Sequence, residues 1–170
     1  AITALTIDKC NFSGTGTGYV DAGGSTAAVS IKNSTYTGLD QAIVLNNAAA
    51  KANIQTNTIE KCTDDTAGAV DVSAAAAGST LISNIIKDNE GYSVDVANLQ
   101  GGKILVSGNQ FSGNAEGLNC ADTTTSLDAK LNWWGSDKGP TTSSVTGGDA
   151  VSDNVTYDPF VTAIPETART

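Results

Sequence analysis

The stretches IQTNTI (residues 54–59), LISNII (81–86) and VSGNQF (106–111) share one spacing, and its reading decides the fold. Each has an apolar residue, an Asn three positions on, and a large apolar residue two positions after that. The spacing extends outward in both directions, as Ile7-x-x-Cys10-x-Phe12, Ile31-x-x-Ser34-x-Tyr36 and Ala129-x-x-Asn132-x-Trp134. The middle residues fall 24, 23, 27, 25 and 23 positions apart. A second apolar element follows each of the first five, at Val20, Ile43, Val70, Val94 and Leu118. Within it apolar and polar residues alternate (Val70, Asp71, Val72; Val94, Asp95, Val96), the period-two signature of a strand with one buried face. Helix periodicity is absent, and Gly, Asn and Asp interrupt the chain too often for long helices.

A repeat of about 24 residues holding several short strands cannot bury its apolar face alone, so it stacks on its neighbours. The spacing predicts an all-β parallel β-helix of about six coils over residues 1–140, with 141–170 as a cap or extension. Asn57, Asn84, Asn109 and Asn132 occupy one polar slot, where stacked amides can satisfy backbone groups that a tight bend leaves open. Cys10 and Ser34 hold that slot in the first two coils, so the amide ladder is expected to begin at the third.

The only two tryptophans sit together in KLNWWGSDKGP, residues 130–140. Trp134 falls in the inward slot of Phe12, Tyr36, Ile59, Ile86 and Phe111, so its indole is expected to close the end of the interior. Gly135 permits the break in the coil and Pro140 cannot donate a ladder hydrogen bond. The apolar Val155, Tyr157, Phe160, Val161 and Ile164 are expected to fold the tail back over the last coil. The opening AITALTI reads as a strand with nothing to cover it. That end is expected to continue into further coils or to take a strand from another molecule, with the tail as the donor segment.

The spacing, the Phe111-Ser-Gly-Asn114 step and the terminal NWWGSDKGP resemble the right-handed parallel β-helix repeat proteins of the pectin-lyase-like superfamily, in particular secreted and surface members that close with NWWG and GP. The resemblance implies a right-handed solenoid and an extracellular or cell-surface location. It does not bring a catalytic set with it. The Gly-His-Gly and Arg-x-Lys steps of polygalacturonases are missing, and the single Arg, Arg169, is in the tail. Only a calcium-assisted lyase using Lys61 or Lys87 as base remains compatible.

Composition supports a display role over chemistry. Charged residues are 16% of the chain, His is absent, and the net charge of −9 leaves no clustered cations for nucleic acid or anionic membranes. No run approaches the ~18 apolar residues of a membrane helix, and the chain is expected to be soluble with any leader removed. Three Asn-x-Ser/Thr triplets, at Asn11, Asn33 and Asn154, fit a glycosylation pattern. Three cysteines cannot form a closed disulfide set, and Cys10, Cys62 and Cys120 fall in different columns or two or more coils apart, so free thiols are expected. The Gly-rich SGTGTGY reads as a turn, since no helix follows it.

The role expected is therefore a non-catalytic extracellular structural or adhesive module that self-assembles into a layer or filament, or contacts neighbouring surface proteins. The alternative is a carbohydrate-binding module or a polysaccharide lyase or hydrolase fragment. For binding, the candidates are Trp133 as a sugar platform, Tyr92, and the carboxylates Asp71 and Asp95 on consecutive coils, with Asp21 expected in the same column and Val44 interrupting it. No cofactor is expected, calcium being the one ion the carboxylates could take.

Overall fold

The computed structural model describes residues 2–99 and 104–166, and in them strands recur three to a coil. The first coil holds β1 (Ala4–Asp8), β2 (Asn11–Ser13) and β3 (Thr17–Asp21). The second holds β4 (Ala28–Lys32), β5 (Thr35–Thr37) and β6 (Gln41–Asn47). The third holds β7 (Ala52–Gln55), β8 (Thr58–Glu60) and β9 (Gly68–Ala75), and the fourth β10 (Thr80–Ile82), β11 (Ile85–Lys87) and β12 (Tyr92–Val96). After β13 (Leu105–Ser107), β14 (Gln110–Ser112) and β15 (Glu116–Cys120), the sixth coil keeps only β16 (Leu127–Asp128) as a strand. β17 (Pro140–Thr141), β18 (Gly148–Ala150) and β19 (Val155–Thr156) complete the chain.

Equivalent strands pair in parallel from coil to coil and build three faces, A from the first strand of each coil, B from the second and C from the third. The result is a parallel β-solenoid of about six turns. The inward column on face B is Phe12, Tyr36, Ile59, Ile86, Phe111 and Trp134; the last five are fully buried. Phe12 stacks on Tyr36 at 4.7 Å and Trp134 on Phe111 at 4.9 Å, so aromatic pairs stand at both ends of one aliphatic column. The expected inward position of Trp134 is what the structure has.

The bend from face A to face B is the same device in every coil. A residue in the left-handed region comes first: Lys9, Asn33, Thr56, Ser83, Gly108 or Leu131, with φ between 51° and 67°. The slot residue follows and turns inward. Backbone N–H groups of Ser34, Asn57, Asn84 and Asn109 donate to the side-chain oxygen of Asn57, Asn84, Asn109 and Asn132 one coil on, at 2.8–3.0 Å. The amides of Asn57, Asn84, Asn109 and Asn132 donate back to the carbonyls of Ile31, Ile54, Leu81 and Val106. All four amides are buried, and the ladder begins at the third coil as its sequence spacing predicts. Left-handed backbone costs a non-glycine residue about 1–2 kcal/mol, and these buried bonds offset that cost.

The register of β3 differs from the expectation. Tyr19, not Val20, pairs with Ile43 and stands in the inward column of Val70, Val94 and Leu118; Val20 pairs with Val44 and faces out. Gly18 explains the shift. It precedes Tyr19 as the small residues Ala42, Ala69, Ser93 and Gly117 precede the later members of the column. A methyl group on Gly18 would lie 2.7 Å from the Ala42 carbonyl oxygen and 2.8 Å from the Tyr36 ring. Only Gly fits there.

The tail also departs in part from expectation. It lies over the last coil, but as a seventh strand of face A: β19 pairs with β16, Leu127 opposite Val155. Val155 is buried, and Tyr157 and Phe160 pack against the core. Its backbone thus pairs with the sixth coil of the same chain. β17 pairs with β18, and β18 lies against the sixth coil through hydrogen bonds from Asp149 N to Trp134 O and from Gly148 N to Gly139 O.

Candidate functional site

The sequence-derived binding residues separate onto two faces. Asp71 in β9 stands opposite Asp95 in β12, and Asp95 opposite Asn119 in β15, all outward on face C. Asp71 accepts a hydrogen bond from Ser73 Oγ at 3.1 Å, and Asp95 accepts one from Asn119 Nδ2 at 2.8 Å. Burial, and then the charge of Asp95, push the Asp71 carboxyl above the usual carboxylate range against the bond from Ser73. Asp21 is not in this column, which continues through Val44 to Val20. The one-residue register shift puts Asp21 opposite Leu45, where it accepts bonds from Asn47 Nδ2 at 3.1 and 3.3 Å. Tyr92 is on face C too, opposite Gly68 and Glu116.

Trp133 is elsewhere. It bridges to Gln110 on face B and ends the outward column of Thr35, Thr58, Ile85 and Gln110, with its ring partly exposed. A shallow groove runs beside this column, lined by Asn33, Thr35, Thr56, Thr58, Ser83 and Ile85, all uncharged. A sugar platform at Trp133 and the carboxylates of face C therefore cannot serve one compact ligand.

Several carboxylates are engaged structurally. Asp64 Oδ1 accepts from Thr66 N, Thr66 Oγ1 and Ala67 N, which holds it below its usual range. Asp122 Oδ1 accepts from Thr124 Oγ1, Thr124 N and Thr125 N, and Asp122 Oδ2 from Leu99 N; with the Thr124 hydroxyl first among the causes, its carboxyl is held down to about 2. Lys87 pairs with Glu60 at 3.3 Å. Among the described residues no group of three His, Cys, Asp or Glu side chains could hold a metal ion. All three cysteines are free, and burial pushes the Cys62 thiol up to about 11, leaving it an inert core residue at neutral pH.

One polar arrangement escaped the sequence reading. Cys62, Asn89 and Asn114 form a second ladder after the bend from face B: Cys62 N donates to Asn89 Oδ1 at 2.9 Å, and Asn89 Nδ2 to Asn114 Oδ1 at 2.7 Å. Asp149 from the tail ends it, accepting from Asn114 Nδ2 at 2.6 Å and Gly113 N at 3.0 Å. Burial raises the Asp149 carboxyl against those bonds. The shared slot of Cys62, Asn89 and Asn114 was visible in the spacing; Asp149, 35 residues beyond Asn114, follows no repeat.

Three parallel faces, a ladder at each of two bends and a core of stacked like residues define a solenoid of the β-helix class. The chain belongs to the right-handed β-helix family, whose model, described as a right-handed β-helix region, matches residues 3–133. No curated protein sequence and no solved structure matches it.

Proposed function

We propose that this chain is a non-catalytic structural module of an extracellular or cell surface, a stiff spacer that holds or displays what adjoins it. The observation that carries the proposal is the buried ladder from Ser34 to Asn132, which ties each coil to the next by side-chain to main-chain bonds and leaves the coils little freedom to shear. Likeness to secreted pectin-lyase-like proteins is the ground for the extracellular placement. Reducing-sugar and unsaturated-product assays on a panel of polysaccharides, with and without calcium, test it. No turnover is expected, and turnover lost in Lys61→Ala or Lys87→Ala would replace the structural reading with a lyase.

A second reading rests on the groove of face B. Its hydroxyls and amides suit a neutral glycan, and Trp133, two coils beyond Ile85 on the same face, offers an indole on which a further ring of an extended chain can stack. Asp71, Asp95 and Asn119 offer calcium fewer oxygens than the six to eight it takes, so a calcium-dependent ligand on face C would have to supply the remainder. A glycan array with and without calcium separates the two faces. Binding lost in Trp133→Ala and indifferent to calcium supports face B; binding lost in Asp95→Asn and dependent on calcium supports face C.

A further inference from the structure

We infer that the groove beside the outward column of face B takes a linear, uncharged, β-1,4-linked polysaccharide laid along the solenoid axis, one sugar to a coil. The inference rests on the glycan reading of face B and deepens it by fixing the linkage, the charge and the direction of the ligand.

The groove crosses the coils instead of following one. Asn33 and Thr35 come from the second coil, Thr56 and Thr58 from the third, and Ser83 and Ile85 from the fourth, each pair flanking the same buried slot. Its volume of about 360 Å³ lies in the range of about 300–1,000 Å³ for ligand clefts. The hydroxyls of Thr35, Thr58 and Ser83 are half-buried and make no hydrogen bond among the described residues. Thr56 Oγ1 and Asn33 Oδ1, by contrast, are bonded to each other at 2.7 Å. Free hydroxyls thus stand one to a coil along the groove.

Groups repeated at a fixed step select a ligand that repeats at the same step. Coils stack at about 4.8 Å, so Thr35, Thr58, Ile85, Gln110 and Trp133 mark successive levels over about 19 Å. A β-1,4-linked chain of equatorially bonded pyranoses is a flat ribbon that advances by nearly one such step per sugar, so each ring can lie over one coil. An α-1,4-linked glucan curls and leaves the groove after a few sugars. Charge rules out polyuronates and sulfated chains. None of the residues lining the groove is charged, Glu60 and Lys87 beside it neutralise each other at 3.3 Å, and the net charge of −9 repels an anion. One hydroxyl per coil holds a single sugar weakly; a chain adds these contacts, because each bound unit keeps the next at high local concentration. At the far level the Trp133 ring, outward and partly exposed, offers a face to the last sugar.

The experiment is calorimetric titration of the 1–170 chain with β-1,4-linked glucose and mannose oligosaccharides from disaccharide to hexasaccharide. An α-1,4-linked glucose hexasaccharide and a galacturonate hexasaccharide are the controls, and every variant is melted. Affinity for a β-1,4 series is expected to climb with length as far as the pentasaccharide, and to exceed that of either control by about tenfold or more. Thr58→Val is expected to weaken the trisaccharide and the pentasaccharide alike by about three- to tenfold, as the loss of one hydrogen bond does. Trp133→Ala is expected to weaken the pentasaccharide by about the same factor and to leave the trisaccharide unchanged. An affinity that does not rise beyond the disaccharide overturns the inference, as does equal binding of either control, or a pentasaccharide indifferent to Trp133→Ala. In each of these cases the glycan reading of face B stands if Thr58→Val still weakens binding; no binding of any glycan removes both. If a variant does not fold, the length series and the two controls decide.

Discussion

The first coil and the last coil are built on the same spacing and end in opposite states. At the first, Phe12 stacks on Tyr36 and its other face is open; at the last, Trp134 stacks on Phe111 and is wholly buried beneath the tail. The first bend carries Cys10, whose N–H is bonded by Ser34 Oγ at 3.1 Å, but Cys10 sends no amide back to another coil. The last bend carries Asn132, whose amide reaches the carbonyls of Val106 and Ala129. One spacing thus accommodates a bend that returns an amide to the preceding coil, at Asn132, and one that does not, at Cys10, depending on the residue in the slot.

The largest break in this contrast should come from Trp134→Ala, expected to cost about 3–5 kcal/mol as a buried aromatic truncation. Phe12→Ala, at a ring already half in water, should cost about 1 kcal/mol because less apolar area is lost. Denaturant unfolding of both variants measures the difference, and equal losses would mean that the tail does not seal the last coil. Next comes Asn84→Leu, which leaves the buried Asn57 N–H without its acceptor and removes the amide bond to the Ile54 carbonyl. At about 1–3 kcal/mol for a stranded buried group, a loss of about 1–3 kcal/mol is expected. A loss inside the ordinary surface range of about 0.5 kcal/mol would show that the column is hydrated.

Ser34→Asn sharpens the contrast from the other side. It extends the amide ladder by one coil, its new Nδ2 facing the carbonyl of Ile7 as Asn57 faces that of Ile31. A gain of about 0.5–1.5 kcal/mol is expected in denaturant unfolding, and a loss would show that the first coil cannot close to ladder spacing. The smallest effect is one of pH. Asp122 has its carboxyl lowered from 3.8 to about 2 by bonds that need its charged form, so its stabilising contribution is full above 3.8 and is lost as pH falls towards 2. Asp71 and Asp149, raised by burial, act with the opposite sign and gain as they are protonated. Melting curves from pH 5 to 2 should therefore fall less for Asp122→Asn than for the parent; parallel curves would assign the acid response to other groups.

The sequence by itself determined the strand class, the coil length, the inward column from Phe12 to Trp134 and the ladder from Asn57 to Asn132. Stacking makes these repeat: a residue that must meet its own equivalent one coil away leaves a mark at a fixed spacing. The tertiary structure alone decided the parts that meet something unlike themselves. Tyr19 took the inward place of Val20 because Gly18 lies against the Ala42 backbone and the Tyr36 ring, a fit invisible in an apolar pattern that both residues satisfy. Asp149 became the end of the second ladder, and Val155 the seventh rung of face A, through contacts between segments of different character. Trp133 and Asp95 came to lie on different faces because each bend turns the chain through a corner, and distance around a coil is set by those corners and not by position along the chain.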